Sequence, residues 1–231
     1  MPWWALLSSA AGPVLLIGGW ELGAARQSPG FDPVTETISA LAAYGATDRW
    51  IMTAGLAGLG ACHVVTALGL RPAALPGRLL LATGGAATVL VAAFPQPDGG
   101  SSPAHILAAG VAFSTLSLWP ALAWRRGGRA PLRPAVSIGA AVALLGLLGW
   151  FAAELYGGGG LIGLSERVLA GSQALCRSRW CCWPAAEGQP APSRPCRRHA
   201  PRWRGAGRRS RTAHQAGPTR LRTPGEWHPA S

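Results

Sequence analysis

Five long apolar segments, almost free of charged residues, dominate the first 175 positions of this chain. A helix needs about 20 apolar residues to cross a hydrocarbon core of roughly 30 Å, and each segment is about that long. One such segment could be a buried helix of a soluble protein, but five in series leave too little polar sequence to cover them. The sequence therefore predicts an all-α, polytopic transmembrane bundle with spans near residues 3–24, 50–70, 77–95, 104–124 and 135–156.

The arginines between the spans predict how the bundle is oriented. Positively charged loops stay on the cytoplasmic side of a membrane. The loops after the second and fourth spans hold six arginines and no acidic residue, whereas most acidic residues lie in the other connections. We therefore expect a cytoplasmic N-terminus, with residues 25–49, 96–103 and 157–163 on the outer face of the cell membrane. The six arginines are Arg71, Arg78, Arg125, Arg126, Arg129 and Arg133.

The longest of these outer loops has the pattern of a short helix. Asp32 stands before Pro33, which is the order of an N-cap followed by the first helical position. Apolar residues then recur at helical spacing until Gly45, a residue that commonly ends a helix. The pattern predicts a helix over residues 33–43 that lies on the membrane surface or caps the bundle, with a plain surface turn as the alternative.

A sixth helix begins at residue 161 and is interrupted after residue 175. At 1.5 Å per residue, 161–175 is too short to cross a bilayer. Arg177 and Arg179 follow, and a central arginine costs about 2.5–3.5 kcal/mol on insertion scales. Residues 1–175 carry nine arginines against seven acidic residues, whereas 176–231 carry twelve against two. We therefore divide the chain into a transmembrane domain, 1–175, and a basic, disordered tail, 176–231.

The genetic code offers an explanation for this tail. When the codons after residue 176 are read one frame over, Trp180 to Pro184 must encode Val, Leu, Leu and Ala, whichever synonymous codons are used. The repaired segment becomes SQALWPLAVVLLA, which completes an apolar sixth helix. We infer that residues 176–231 are an out-of-frame tail. Sequencing the gene, or weighing the intact protein, tests this.

The tail also contains residues typical of zinc and nucleic-acid binding. Its cysteines lack the paired spacing of a zinc site. Its arginines, clustered at 194–211, would bind any polyanion without specificity. We therefore predict neither a metal site nor a specific nucleic-acid partner. The potential zinc ligands are Cys176, Cys181, Cys182, Cys196 and His199.

Three segments carry a resemblance to a known family. They are FDPVTETISALAAYGATDRWIMTAGL (31–56), FPQPDGGSSPAHILAAGVAF (94–113) and GLSERVLAGSQAL (163–175). In order and spacing, the chain resembles the bacterial six-helix membrane proteins grouped as domain of unknown function 998. The resemblance implies the fold and the location, but no mechanism. The sequence departs from the family pattern at Cys176.

Several polar residues are expected together at the outer ends of the spans. Ionisable groups at membrane depth usually face the bundle interior and are candidates for function. We expect the carboxylate of Glu166, Glu21 or Glu154 to pair with Arg167 and to orient His105, in a cluster able to bind a divalent metal, relay a proton or hold a lipid headgroup. The alternative is that these residues only lock helices together. Catalytic candidates are His105, Glu166 and Asp98, and binding candidates are Glu21, Ser39, Glu154 and Arg167.

The sequence leaves three classes of function open. It contains no HExxH, GxSxG or P-loop motif, and no motif that requires a cofactor. We favour a non-enzymatic scaffold or lipid-interacting module whose partners are the bilayer and a lipid headgroup or small polar ligand at the outer face. The alternatives are a small transporter or channel, and an intramembrane hydrolase or transferase. His63, alone in the second span, is expected to be a hydrogen-bonded packing residue.

Overall fold

Six α-helices and one 3₁₀ helix make up most of the chain that the structure, a computed structural model, describes. It describes residues 1–97, 100, 102–128 and 131–186, with side chains as far as residue 178. No strand occurs within these residues. The α-helices are α1 (Trp3–Ala24), α2 (Trp50–Gly69), α3 (Leu75–Ala93), α4 (Pro103–Ala123), α5 (Pro134–Gly157) and α6 (Ile162–Ala186), and the 3₁₀ helix is Ser39–Ala42.

The five predicted spans are confirmed as helices α1 to α5. Each is long and apolar enough to cross a membrane, and its ends lie within one turn of those predicted. Local residues explain several ends. Pro103 and Pro134 occupy the first turns of α4 and α5, where no amide hydrogen is needed. Gly158 ends α5 in the left-handed conformation, with φ of 68°.

The six helices form a closed ring. Each helix from α1 to α5 packs against the next one along the chain, and α6 packs against both α5 and α1. The segments 25–49, 94–97 and 158–161 lie together at one end of this ring, which we call the 3₁₀ end. Which side of a membrane the 3₁₀ end faces stays a prediction.

Helices α2 and α3 meet at two glycines. A Cβ atom placed on Gly60 would lie 2.6 Å from the carbonyl oxygen of Gly85, and one on Gly85 would lie 2.7 Å from that of Gly60. No other residue lets the two backbones come this close, and such close packing is a main source of helix association in lipid. The α2–α3 contact is therefore a fixed part of the scaffold.

The predicted helix over residues 33–43 is wrong. Asp32 caps a single turn, because its carboxylate accepts from the amide of Val34 at 2.9 Å, but regular structure resumes only as the 3₁₀ helix from Ser39. The amide of Ile38 donates to the side chain of Glu166 in α6 instead of to a helical carbonyl. A contact from a distant helix thus replaces the local hydrogen bond that a continuous α-helix would need.

Helix α6 continues beyond the predicted interruption at residue 175. Arg177 does not face lipid: it is fully buried, and its Nη2 donates to the carbonyl of Ser9 in α1 at 3.3 Å. The guanidinium occupies the space left by the missing side chain of Gly12. Helix α6 is not among the five helices apolar enough to span a membrane. The rest of the predicted tail, 187–231, lies outside the described residues.

Candidate functional site

Three buried polar side chains from distant parts of the sequence meet at the 3₁₀ end. Ser39 lies in the 3₁₀ helix, His105 in the first turn of α4 and Glu166 in the first turns of α6. They are 8%, 2% and 3% exposed. We call them the polar triad. All three were among the candidates predicted from the sequence.

Ser39 is held inside the ring by its apolar neighbours. Ile38, Leu41 and Ala42 are each at most 3% exposed and belong to the apolar core of the 3₁₀ end. Burying a Leu or Ile side chain contributes about 1.5–3 kcal/mol. The 3₁₀ helix therefore inserts into the bundle and brings Ser39 with it.

Arg167 fixes the segment that precedes the 3₁₀ helix. Its Nη1 donates to the carbonyls of Pro33 and Glu36, at 2.7 Å each, and to that of Gly163 at 3.0 Å. The amide of Leu164 also donates to this segment. Backbone carbonyls that a helix would have used internally are thus satisfied by α6, and this holds the segment against the helix.

Glu166 joins the same segment through its carboxylate. It accepts from the amide of Ile38, and the hydroxyl of Ser39 lies 3.4 Å from its Oε1. A buried carboxylate is tolerated only where hydrogen bonds replace water. The observed contacts supply this replacement and orient the carboxylate toward Ser39.

His105 has a defined orientation because both ring nitrogens have partners. Nδ1 lies 2.9 Å from the carbonyl oxygen of Phe94, and Nε2 lies 3.2 Å from Oγ of Ser39. A carbonyl oxygen can only accept, so Nδ1 carries the proton. In the neutral ring Nε2 is therefore an acceptor, and the Ser39 hydroxyl donates to it or to Glu166.

The other predicted site residues do not join the triad. Arg167 binds carbonyls and not a carboxylate; within the described part of the chain, the only ion pair joins Arg26 to Asp48. Glu21 accepts from the indole of Trp20 at 2.8 Å. Glu154 accepts from the indole of Trp150 and from the amide of Leu161. Asp98 lies outside the described residues.

A cavity of about 310 Å³ adjoins the triad between α4 and α5. We call it the lateral cavity. Exposed residues of both helices line it, among them Ile106 in α4 and Leu155 in α5, so it opens on the outer surface of the bundle between these helices. Most of its polar lining residues lie at or near the 3₁₀ end, whereas its apolar lining residues lie along α4 and α5, and we call these two groups the polar wall and the apolar wall. The polar wall comprises Thr37, Ser39, Gln96, His105 and Glu166, and the apolar wall includes Ile106, Phe113, Leu148, Phe151 and Leu155.

A second cavity, of about 50 Å³, lies deeper inside the ring. We call it the central cavity. Ser39, Glu166, Ala109 and Phe113 line both cavities, so the triad stands between them. The central cavity is lined mostly by apolar side chains, with His63 at its wall. A cavity of this size has room for water where polar partners are present.

The model of one protein family, described as a protein of unknown function (DUF998), matches residues 9–178, which is most of the chain. The chain belongs to the DUF998 family. Neither a curated protein nor a solved structure is significantly similar to it. The DUF998 match includes the whole polar triad and the helices around both cavities, and it ends two residues after Cys176.

Two polar residues of this DUF998 protein were missed by the sequence analysis. Gln173 in α6 donates to the carbonyl of Phe113 and to the hydroxyl of Ser117, both at 3.0 Å, and thereby joins α6 to α4. Gln96 lines the lateral cavity. The sequence could have indicated Gln173, because a side-chain amide within an apolar helix needs a hydrogen-bond partner. Nothing in the local sequence distinguished Gln96 from an ordinary loop residue.

His63 was predicted to be a hydrogen-bonded packing residue, and the hydrogen bond is confirmed. Nδ1 lies 2.8 Å from the carbonyl oxygen of Leu59, one turn earlier in α2. Among the described residues, Nε2 has no hydrogen-bond partner. His63 thus differs from His105 in having one nitrogen without a protein partner.

The polar triad suits proton transfer and hydrogen bonding better than metal binding. Among the residues that the structure describes, no three His, Cys, Asp or Glu side chains lie close enough together to hold a metal ion. The triad instead offers one hydroxyl, one imidazole and one carboxylate in a row, beside a cavity that is open at the side of the bundle.

Proposed function

We propose that this DUF998 protein is a lipid-interacting protein of the cell membrane, and that the lateral cavity accepts a lipid headgroup together with the adjoining part of its acyl chains. The chain is a multi-pass membrane protein with five helices that are long and apolar enough to cross a membrane. The observation that carries the proposal is the division of the lateral cavity into a polar wall and an apolar wall.

The shape of the lateral cavity suits an amphipathic ligand. Binding sites for small molecules typically have volumes of about 300–1,000 Å³, and this cavity lies at the lower end of that range. A lipid in the surrounding bilayer can enter from the side without leaving its hydrophobic environment. Its polar part, the headgroup with the adjoining ester groups, would meet Ser39, Gln96 and His105, and its chains would meet Phe113 and Phe151, whose ring centroids lie 5.4 Å apart.

Two glycines provide a matched test of this proposal. Gly110 in α4 lines the lateral cavity, and no atom lies within 4 Å of a Cβ placed there. Gly149 in α5 has the same open surroundings but does not line the cavity. A Phe side chain at residue 110 would fill the cavity, whereas one at residue 149 would leave it open.

The experiment measures lipid retained by the 231-residue protein. Wild type, Gly110→Phe and Gly149→Phe are reconstituted with phosphatidylethanolamine and phosphatidylglycerol, released into detergent and weighed by native mass spectrometry. We expect wild type and Gly149→Phe to retain a bound lipid and Gly110→Phe to lose it. Equal retention by all three proteins would show that lipid does not occupy the lateral cavity.

Transport is a second candidate, and the position of the two cavities favours it. They share lining residues, so together they reach from the side of the bundle toward its centre. Beyond the central cavity, Leu81, Leu116 and Trp119 form a closely packed apolar cluster. A proton flux in proteoliposomes that is abolished by His63→Leu would support transport, and a flux equal to that of empty liposomes would refute it.

A further inference from the structure

The contact between Ser39 and His105 has the geometry of a nucleophile with its base. Oγ of Ser39 lies 3.2 Å from Nε2 of His105, which is the upper limit of hydrogen-bond reach for such a pair. The carbonyl of Phe94 fixes the other nitrogen. A base whose far side is oriented by a third group is the arrangement that activates hydroxyl nucleophiles in unrelated enzymes.

The protonation state of His105 agrees with this role. Because Nδ1 faces a carbonyl, Nε2 of the neutral ring carries a lone pair directed at the Ser39 hydroxyl. The ring can take the serine proton without rotating.

The position of Ser39 within the lateral cavity selects the class of substrate. The ester groups of a glycerolipid lie between its headgroup and its acyl chains. Ser39 belongs to the polar wall, but Ile106 of the apolar wall follows His105 directly, and Phe113 lines both cavities together with Ser39. A lipid with its headgroup on the polar wall would therefore present its ester groups near Ser39.

We infer that Ser39 is the nucleophile, and His105 the general base, of an acyl-transfer reaction on a lipid ester bound in the lateral cavity. The inference rests on the proposed lipid binding. Gln96 and Thr37 line the same wall and are the donors available to a developing oxyanion. Glu166 is a positioning residue, because its carboxylate binds the amide of Ile38 and the hydroxyl of Ser39 and so fixes the 3₁₀ helix that carries the nucleophile.

The reaction balances with water as the only co-reactant. Oγ of Ser39 attacks the ester carbonyl carbon while its proton passes to Nε2 of His105. The bond from the carbonyl carbon to the glycerol oxygen breaks, and His105 returns the proton to that oxygen. Acyl-Ser39 and a lysolipid result. Water then attacks the acyl-serine, again with His105 as base, and releases a fatty acid; a second alcohol in place of water would give transfer.

The test is covalent labelling by an alkyl fluorophosphonate, a probe that reacts with activated serines. Wild type, Ser39→Ala, His105→Ala and Ser137→Ala are treated in detergent, and the adduct is located by peptide mass spectrometry. Ser137 is the control, since it is fully buried in α5 away from both cavities. We expect one adduct on Ser39 in wild type and Ser137→Ala, none at residue 39 in Ser39→Ala, and labelling slowed about 100-fold in His105→Ala.

A pH profile separates a base from a packing residue. Protonated His105 cannot accept a proton, so wild-type labelling should slow on acidification, while the residual rate of His105→Ala should not follow this profile. Thermal unfolding confirms that each variant is folded. Lipid retention without any Ser39 adduct would overturn the assignment of Ser39 as the nucleophile and leave the proposed lipid binding intact. A Ser39 adduct without lipid retention would overturn the proposed lipid binding and the lipid ester as substrate, but would retain Ser39 as an activated nucleophile.

Discussion

The α2–α3 and α4–α5 contacts use glycine for opposite purposes. Gly60 and Gly85 bring α2 and α3 so close that a Cβ atom on either would meet the other's carbonyl oxygen. Gly110 in α4 instead faces open space in the lateral cavity. Small residues therefore make one contact tight and leave room at the other. The tight contact serves the scaffold, and the loose one holds the candidate site.

The largest effect is expected from adding one methyl group to the tight contact. In Gly60→Ala, the new Cβ would lie 2.6 Å from the carbonyl oxygen of Gly85, so the helices must separate. Overpacking against a backbone atom, which cannot move aside as a flexible side chain can, should lower the free energy of unfolding by about 3 kcal/mol. Thermal unfolding in detergent measures it. Gly146→Ala, at a position with no atom within 4 Å of the added Cβ, is the control; equal melting temperatures would contradict the importance of the contact.

A somewhat smaller loss of stability is expected at the polar triad. Glu166→Ala leaves the buried amide of Ile38 without its acceptor, which costs about 2 kcal/mol. Glu166→Gln retains one acceptor oxygen and should recover part of this loss. Glu21→Ala is the control, because that residue is exposed and its change should matter by less than about 0.5 kcal/mol. If Glu166→Ala unfolds at the control's temperature, the carboxylate does not hold the 3₁₀ helix.

The two buried histidines allow a finer comparison. His105→Leu breaks contacts to two other segments, and should cost about 1 kcal/mol. His63→Leu removes a stabilising hydrogen bond within its own helix, and it also removes a buried nitrogen that has no described partner and so costs stability. The loss and the gain should nearly cancel. Unfolding of both variants measures the difference. A greater loss for His63→Leu would indicate that ordered water in the central cavity binds Nε2.

Local sequence patterns predicted the helices but not the contacts between distant segments. The spans followed from apolar length alone, since lipid leaves few alternatives to a helix. The 33–43 helix failed because Ile38 bonds to a residue 128 positions away. For the same reason Arg167 was expected to pair with a carboxylate, whereas it binds carbonyls of a segment that the local pattern had assigned to a helix.

The three residues of the polar triad were among the candidates taken from the sequence, but their arrangement was not predicted. Ser39, His105 and Glu166 were recognisable as polar residues near the ends of apolar segments. Their order, with the hydroxyl between imidazole and carboxylate, depends on how far the 3₁₀ helix enters the ring. That depth is set by the burial of Ile38 and Leu41, which the sequence alone does not place.

A small effect of opposite sign, a gain in stability, is expected in the loose contact. Gly110→Ala adds the same methyl group as Gly60→Ala, but into open space. Alanine stabilises a helix by about 0.8–1.0 kcal/mol relative to glycine, so this variant should unfold at a slightly higher temperature than wild type. Gly149→Ala, equally open, should show the same small gain. A gain at residue 149 and a loss at residue 110 would mean that α4 and α5 close on each other there, and that the lateral cavity is not a persistent space.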